Sequence, residues 1–257
     1  MFENRVFALS ASICALSFAA LAFCLPPQAG AQADAPYYAR KNSFGVVAAY
    51  SNDSSHMLLG YAQNRKLLDF GASYSRRLLL NRIVNWQYDG EFFPVALESD
   101  PLTKYVNAQT SPVASTNTFT GGSPTVTCAP IVVSYSYTFK GLIYSGTITT
   151  TCSGRQWTPG EAFSPIGMQW NFRPRRRLQP FVNGHGGEMY TTRPIPISFA
   201  GSFNFTFDVG AGFEYFRTKT TSLRVEYKYH HTSNHETASE NPGIDNGVIQ
   251  VGWVFGR

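Results

Sequence analysis

Residues 229–246 read YHHTSNHETASENPGIDN and bring together the side-chain types that acyl transfer requires. A serine hydroxyl becomes a strong nucleophile only when a base accepts its proton, and an imidazole base needs an acidic partner to fix its tautomer. His231 and Ser233 stand two positions apart, and Asp245 follows within the same short span. Whether these three groups can meet depends on the elements that carry them.

Those elements are predicted to be β-strands, because apolar residues recur with a period of two. Between Phe203 and Tyr215 every second residue is apolar, whereas the residues between them are polar or glycine. Successive side chains of a strand point to opposite faces, so each such segment has one apolar and one polar face. The eight predicted strands cover 43–51, 66–78, 83–98, 161–173, 178–191, 203–216, 222–233 and 245–257.

The fold class predicted from this pattern is all-β, as an eight-stranded antiparallel transmembrane β-barrel. Short connections alternate with long ones, which is typical of barrels with tight turns at one membrane face and longer loops at the other. The chain is 15% aromatic and 14% charged. An eight-stranded interior has room for few large side chains, so rows of aromatic rings fit the lipid-facing side better than the lumen.

The first 33 residues have the features of a secretory signal peptide: Arg5, an apolar run and the small residues Ala31-Gln32-Ala33. We therefore expect an exported protein, with the barrel formed by residues 34–257 in the bacterial outer membrane. Beyond residue 34 no segment approaches the roughly 20 apolar residues that a membrane-spanning helix needs.

The connection 99–160 is predicted to be a long outer loop that is clipped by a disulfide. It contains an alternating run, 131–151, which lies between Cys128 and Cys152. An exported chain meets an oxidising environment, so we expect these two cysteines to pair at the base of a hairpin. A cross-link that closes roughly 25 residues contributes about 3 kcal/mol.

Strand phase places the reactive residues on one side of the barrel. The outward-facing positions of segment 222–233 include His231 and Ser233, and counting back from Trp253 in the last segment reaches Asp245. The two segments are consecutive and antiparallel, so residues near their shared end can approach each other. Polar groups on an apolar face are costly unless they pair, which favours a functional cluster.

The same residues resemble those of a known family. His231-Thr232-Ser233-Asn234, together with Asn241-Pro242-Gly243-Ile244-Asp245, is similar to the motif of the lipid A 3-O-deacylase (PagL-type) family of outer-membrane acyl hydrolases. The resemblance implies that His231 is the general base, Ser233 the nucleophile and Asp245 the orienting acid. It also implies that Asn234 donates to the oxyanion and that the substrate is lipid A, the anchor of lipopolysaccharide.

The chain departs from the family pattern at the acid. The family uses glutamate, whereas Asp245 is one methylene shorter, so Glu240 and Glu236 remain alternative acids. The carboxylate of Glu236 is also unfavourable close to a developing oxyanion.

The expected partners are outer-membrane lipids, with lipopolysaccharide as substrate. The net charge is +5, and the arginines of 173–177 form the one basic cluster, which suits an anionic lipid surface rather than nucleic acid. We expect no metal and no cofactor, and the sequence leaves a homodimer open. The alternative functions are a non-catalytic barrel that acts as an anchor or displays its clipped loop, and a phospholipase that uses the same triad.

Overall fold

A computed structural model describes residues 37–122 and 130–257, and these residues form ten antiparallel strands. The predicted signal peptide 1–33 and Cys128 lie outside the described residues, so the signal and the disulfide of Cys152 stay predictions. Within the described ranges, no helix is long and apolar enough to cross a membrane. The strands are β1 Asn42–Ser51, β2 Lys66–Leu80, β3 Val84–Ser111, β4 Ser115–Gly122, β5 Ile131–Phe139, β6 Leu142–Phe172, β7 Leu178–Thr191, β8 Phe203–Phe216, β9 Thr221–Ser233 and β10 Ile244–Gly256.

Eight of these strands close into a ring, which confirms the predicted antiparallel barrel. Neighbouring strands pair in the order β1, β2, β3, β6, β7, β8, β9 and β10, and the pairing of β10 with β1 completes the circle. Closure leaves the ring without an unpaired edge. The sequence predicted the bounds of β7 and β8 at both ends.

The connection 99–160, predicted as a long outer loop, is formed largely by strands. β3 continues to Ser111 and β6 begins at Leu142, so both strands run well past the ring and pair with each other there. β4 flanks the extended part of β3, and β5 flanks the extended part of β6. The structure therefore has a four-stranded sheet above the barrel, which we call the extension sheet (102–122 and 131–151). The predicted hairpin at 131–151 is formed by β5 and β6.

The two faces of the barrel wall differ as the sequence predicted. Along β8 the apolar alternate residues are exposed and the polar ones are buried in the lumen. There the charged side chains pair with one another. Lys228 Nζ donates to Glu91 Oε2 at 2.9 Å and lies 3.3 Å from Asp208 Oδ2, while Arg224 Nη1 donates to Asp89 Oδ2 at 3.1 Å. Pairing of this kind offsets the cost of enclosing charge.

The connection between β1 and β2, residues 52–65, folds against the start of β10. Ala62 forms a bridge with Ile244, and Ser54 forms one with Asn246. Both Ala62 and Ile244 are buried, and they belong to an apolar cluster with Leu67 and neighbouring residues. The connection is therefore packed onto the barrel at the end where β9 and β10 meet.

Candidate active site

Strand register brings the predicted site residues into adjacent rows on the lipid-facing wall. His231 lies directly opposite Asp245 in the β9–β10 pair, and it lies opposite Phe207 in the β8–β9 pair. Ser233 is two positions farther along β9, opposite Phe205. Two positions on one strand separate Cα atoms by about 7 Å, so His231 and Ser233 are neighbours on the same face.

The histidine and the aspartate form a short hydrogen bond. His231 Nδ1 lies 2.6 Å from Asp245 Oδ1. An ionised carboxylate only accepts hydrogen bonds, so Nδ1 carries the proton and Nε2 carries the lone pair. The shorter aspartate reaches the imidazole because the two residues face each other across one strand pair. An imidazole held in this tautomer can act as a general base.

Asp245 is held by three further groups that the sequence did not predict. The amides of Leu58 and Leu59 donate to Asp245 Oδ2 at 2.8 and 2.9 Å, and Tyr229 OH donates to Oδ1 at 2.7 Å. The Asp245 side chain is 0% exposed. Tyr229 has the same phase as His231, two residues earlier, which is a signal that the sequence offered. The sequence of the connection 52–65 has no periodic pattern from which the role of its amides could be predicted.

Two glycines allow this close packing. Gly60 faces the backbone of Asp245, and a Cβ atom there would lie 2.7 Å from the Asp245 amide nitrogen. Gly243 has a φ of +60°, and a Cβ atom on it would lie 3.1 Å from His231 Cε1. A larger residue at either position would displace the connection or the imidazole, so both are part of the support of the pair.

His231 and Ser233 share a cleft of about 660 Å³ on the outer wall of the barrel. Within the described residues no hydrogen bond joins Ser233 Oγ to His231, although both side chains line this one space. The cleft extends from β9 across β8 and β7 to β6, and one of the exposed residues of 52–65, Leu59, also lines it. Apart from the site residues its walls are largely apolar residues and glycines, with Phe163, Ile166, Gly186, Gly187, Phe205 and Phe207 among them.

Asn234 organises the segment after β9. It is 1% exposed, its Nδ2 donates to Glu240 O at 2.7 Å, and its Oδ1 accepts from the Glu236 amide at 2.9 Å. The side chains of Glu236 and Glu240 are exposed. Of the three carboxylates considered as the acid, Asp245 is the one that the structure joins to His231. His230 has the opposite phase and lies 3.9 Å from Asp208 in the lumen.

One group of possible metal ligands lies in the lumen. Among the described residues, Glu91, His185 and Asp208 place ligand atoms within 4.8 Å of one another. The ammonium of Lys228 lies between these carboxylates at 2.9 and 3.3 Å, so a cation already compensates their charge. The group lies on the lumen side of the barrel wall, opposite the face that carries the outer cleft, and belongs to the charge network of the lumen.

Comparison with known proteins supports the predicted resemblance. Residues 132–254 match the family model described as lipid A 3-O-deacylase (PagL). The predicted resemblance to the PagL-type family is confirmed over these residues. The matched PagL region begins in β5, continues through the barrel wall, and contains His231, Ser233, Asn234 and Asp245. The match to this family also confirms the predicted location in the bacterial outer membrane, and the apolar outer surface of the barrel agrees with that location.

No curated protein matches the chain in sequence. The crystal structure of Neisserial surface protein A (NspA) is similar with a TM-score of 0.42 and 10% identity, over 84% of this chain and 97% of NspA.

Proposed function

We propose that this protein is a serine esterase that removes an ester-linked acyl chain from lipid A in the outer membrane. The observation that carries the proposal is the His231–Asp245 hydrogen bond on the lipid-facing wall, where His231 lines one cleft together with Ser233. A histidine–aspartate pair beside a serine is the arrangement of serine hydrolases. The PagL match supplies the substrate class.

The proposed reaction has two steps. His231 Nε2 accepts the hydroxyl proton as Ser233 Oγ attacks the ester carbonyl, and the tetrahedral intermediate then collapses to an acyl-enzyme. The leaving alcohol of lipid A takes the proton from His231. The same nitrogen then deprotonates a water molecule, which attacks the acyl-enzyme and releases the fatty acid. His231 returns this proton to Ser233 as the serine leaves. Asp245 stays ionised and stabilises the imidazolium in both steps.

The negative charge on the carbonyl oxygen needs hydrogen-bond donors. We assign this role to Asn234 and to the backbone amides that follow it. One hydrogen of Asn234 Nδ2 is used by Glu240 O, and an amide group carries two, so the second is the one that we assign to the oxyanion. Loss of one such donor typically costs 10²–10³-fold in rate.

The surroundings of the site suit a lipid substrate. Aromatic side chains of β6 and β8 line the cleft, and Gly186 leaves room on the wall between Ile166 and Phe207. The connection 52–65 presents exposed apolar residues beside it, and Leu58 is 70% exposed. An acyl chain can therefore stay in contact with apolar surface while its ester reaches Ser233.

A second candidate, a display barrel without catalytic activity, is favoured by the extension sheet. Every residue of β5 is exposed or only half-buried, and the sheet continues the barrel wall beyond the membrane ring. This role needs no reactive residue.

The test is an assay of fatty acid released from lipopolysaccharide, followed by mass spectrometry. Ser233→Ala and His231→Ala should release none above background, whereas His230→Ala, a matched change on the lumen side of the same strand, should stay close to wild type. Equal release by wild type and both site variants would refute the esterase and leave the display role. Release from phospholipid alone would identify a phospholipase.

A further inference from the structure

An exposed carboxylate lies on the lipid-facing wall beside the proposed site. Glu188 on β7 pairs with Phe205 on β8, and Phe205 pairs with Ser233 on β9. The three residues thus form one row across adjacent strands, and two strand spacings separate Glu188 from Ser233 by about 10 Å. Glu188 lines the same cleft as His231 and Ser233.

The immediate neighbours of Glu188 are apolar. Phe163 lies opposite it on β6 and Phe205 on β8. Within the described part of the chain, its carboxylate makes no ion pair. Charged groups on the lipid-facing side of a barrel are destabilising to a degree that grows with depth. A carboxylate between two phenylalanines therefore does not strengthen the wall, and its place in the cleft calls for another explanation.

We infer that Glu188 forms a subsite for a hydrogen-bond donor that the substrate carries a few bonds from the cleaved ester. This inference rests on the proposed esterase function. An ionised carboxylate only accepts hydrogen bonds, so its complement is a hydroxyl or an amide N–H group. A plain alkyl chain in the same place would leave the carboxylate unpaired, and a site that is built to hydrogen-bond a group discriminates against analogues that lack it.

The donor has two chemical sources, the acyl chain and the alcohol part of the ester. Four synthetic esters of equal chain length separate them. The acyl chain carries a hydroxyl or none, and the alcohol is either an N-acetylated amino sugar or cyclohexanol. If the Glu188 substitution changes the rate ratio between esters with and without the acyl hydroxyl, the donor is on the acyl chain. If it changes the ratio between the amino-sugar and cyclohexanol esters, the donor is on the alcohol.

Glu161 provides a matched control. It is an exposed glutamate on the same outer face, opposite Tyr190 in the next row of β6 and β7, and it does not line the cleft. Glu161→Leu removes an equal charge from the lipid-facing wall. Any effect of charge on barrel assembly or on membrane partition should therefore appear in both variants, whereas loss of the subsite should appear in one.

The measurement is kcat/KM for each ester with wild type, Glu188→Leu and Glu161→Leu in detergent micelles. Wild type and Glu161→Leu should prefer the donor-bearing ester about tenfold, and Glu188→Leu should lose that preference while it still hydrolyses the plain ester. Retention of the full preference by Glu188→Leu, or equal loss in Glu161→Leu, would overturn the subsite. If wild type and Ser233→Ala hydrolyse all four esters equally slowly, the esterase proposal itself fails, and the subsite fails with it.

Discussion

The barrel contains two histidine–aspartate pairs of nearly equal geometry. On the outer wall His231 Nδ1 lies 2.6 Å from Asp245 Oδ1, and in the lumen His185 Nδ1 lies 2.7 Å from Asp208 Oδ1. In both pairs the two residues face each other directly across antiparallel strands. The strand register thus produces the same contact on either face of the wall.

The pairs differ in what surrounds the second imidazole nitrogen. His185 Nε2 lies 3.5 Å from Asp89 Oδ2, so carboxylates flank the ring on both sides, and Lys228 lies nearby. His231 lines an outer cleft with Ser233, and its ring packs on Phe207 at 5.4 Å between centroids. Charged groups thus enclose the lumen pair, whereas the outer pair borders a cleft that Ser233 also lines, which is the setting that the proposed reaction requires.

The largest expected contrast comes from removing the histidines one at a time. His231→Ala should reduce fatty acid release by about 10³-fold or more, because the serine loses its base. His185→Ala should leave the specific activity of folded protein within about twofold. Rates should be divided by the amount of folded barrel. That amount is measured on a gel, where unheated, folded barrel migrates differently from heat-unfolded chain. Equal loss of activity in both variants would contradict the distinction.

A smaller effect on activity is expected when each aspartate becomes asparagine. Asp245→Asn should lower kcat by about 10²–10⁴-fold, because asparagine does not fix the imidazole tautomer. Asp208→Asn should leave kcat close to wild type, since the lumen pair touches no substrate. Single-turnover rates with lipopolysaccharide in micelles report this difference. If Asp245→Asn kept full kcat, Asp245 would not be the orienting acid, and Glu236 and Glu240 would have to be tested.

For stability we expect the reverse: substitutions in the lumen pair should destabilise the barrel more than substitutions in the outer pair. Asp208→Asn and His185→Ala each weaken the enclosed network by one charged hydrogen-bond partner, and we expect each to lower the free energy of unfolding by about 1–3 kcal/mol. His231→Ala should change it less, because that ring is at the wall rather than within the network. Urea unfolding followed by tryptophan fluorescence in micelles measures both. A larger loss for His231→Ala would show that the outer pair is mainly structural.

The smallest predicted effect concerns the support of Asp245. Tyr229→Phe removes one hydrogen bond to Oδ1, and Leu59→Pro removes one amide donor to Oδ2. Each should lower kcat/KM by about tenfold or less, in keeping with a single hydrogen bond. Leu59→Ala is the control, because it keeps the amide. Equal losses for Leu59→Ala and Leu59→Pro would assign the effect to the side chain rather than to the amide.

The regular strands of the barrel were predictable from sequence, because one face of each strand contacts lipid and the other faces the charged side chains of the lumen. That contrast set the bounds of β7 and β8 and the phases of His231 and Asp245. The extension sheet was predicted only in part. β4 and the end of β3 lie above the ring, where neither face must be apolar, so their Thr-rich and Asn-containing sequences carry little alternation.

By itself the sequence determined the strand period, the apolar outer face and the meeting of His231 with Asp245, since all three follow from local alternation and from the order of two consecutive strands. The tertiary structure decided which groups hold Asp245, because the amides of Leu58 and Leu59 belong to a connection nearly 190 residues earlier in the chain, which the pairing of β1 with β10 brings next to Asp245. It also decided that Glu188 and Ser233 share a row, because that alignment depends on the register of three strands rather than on any sequence spacing.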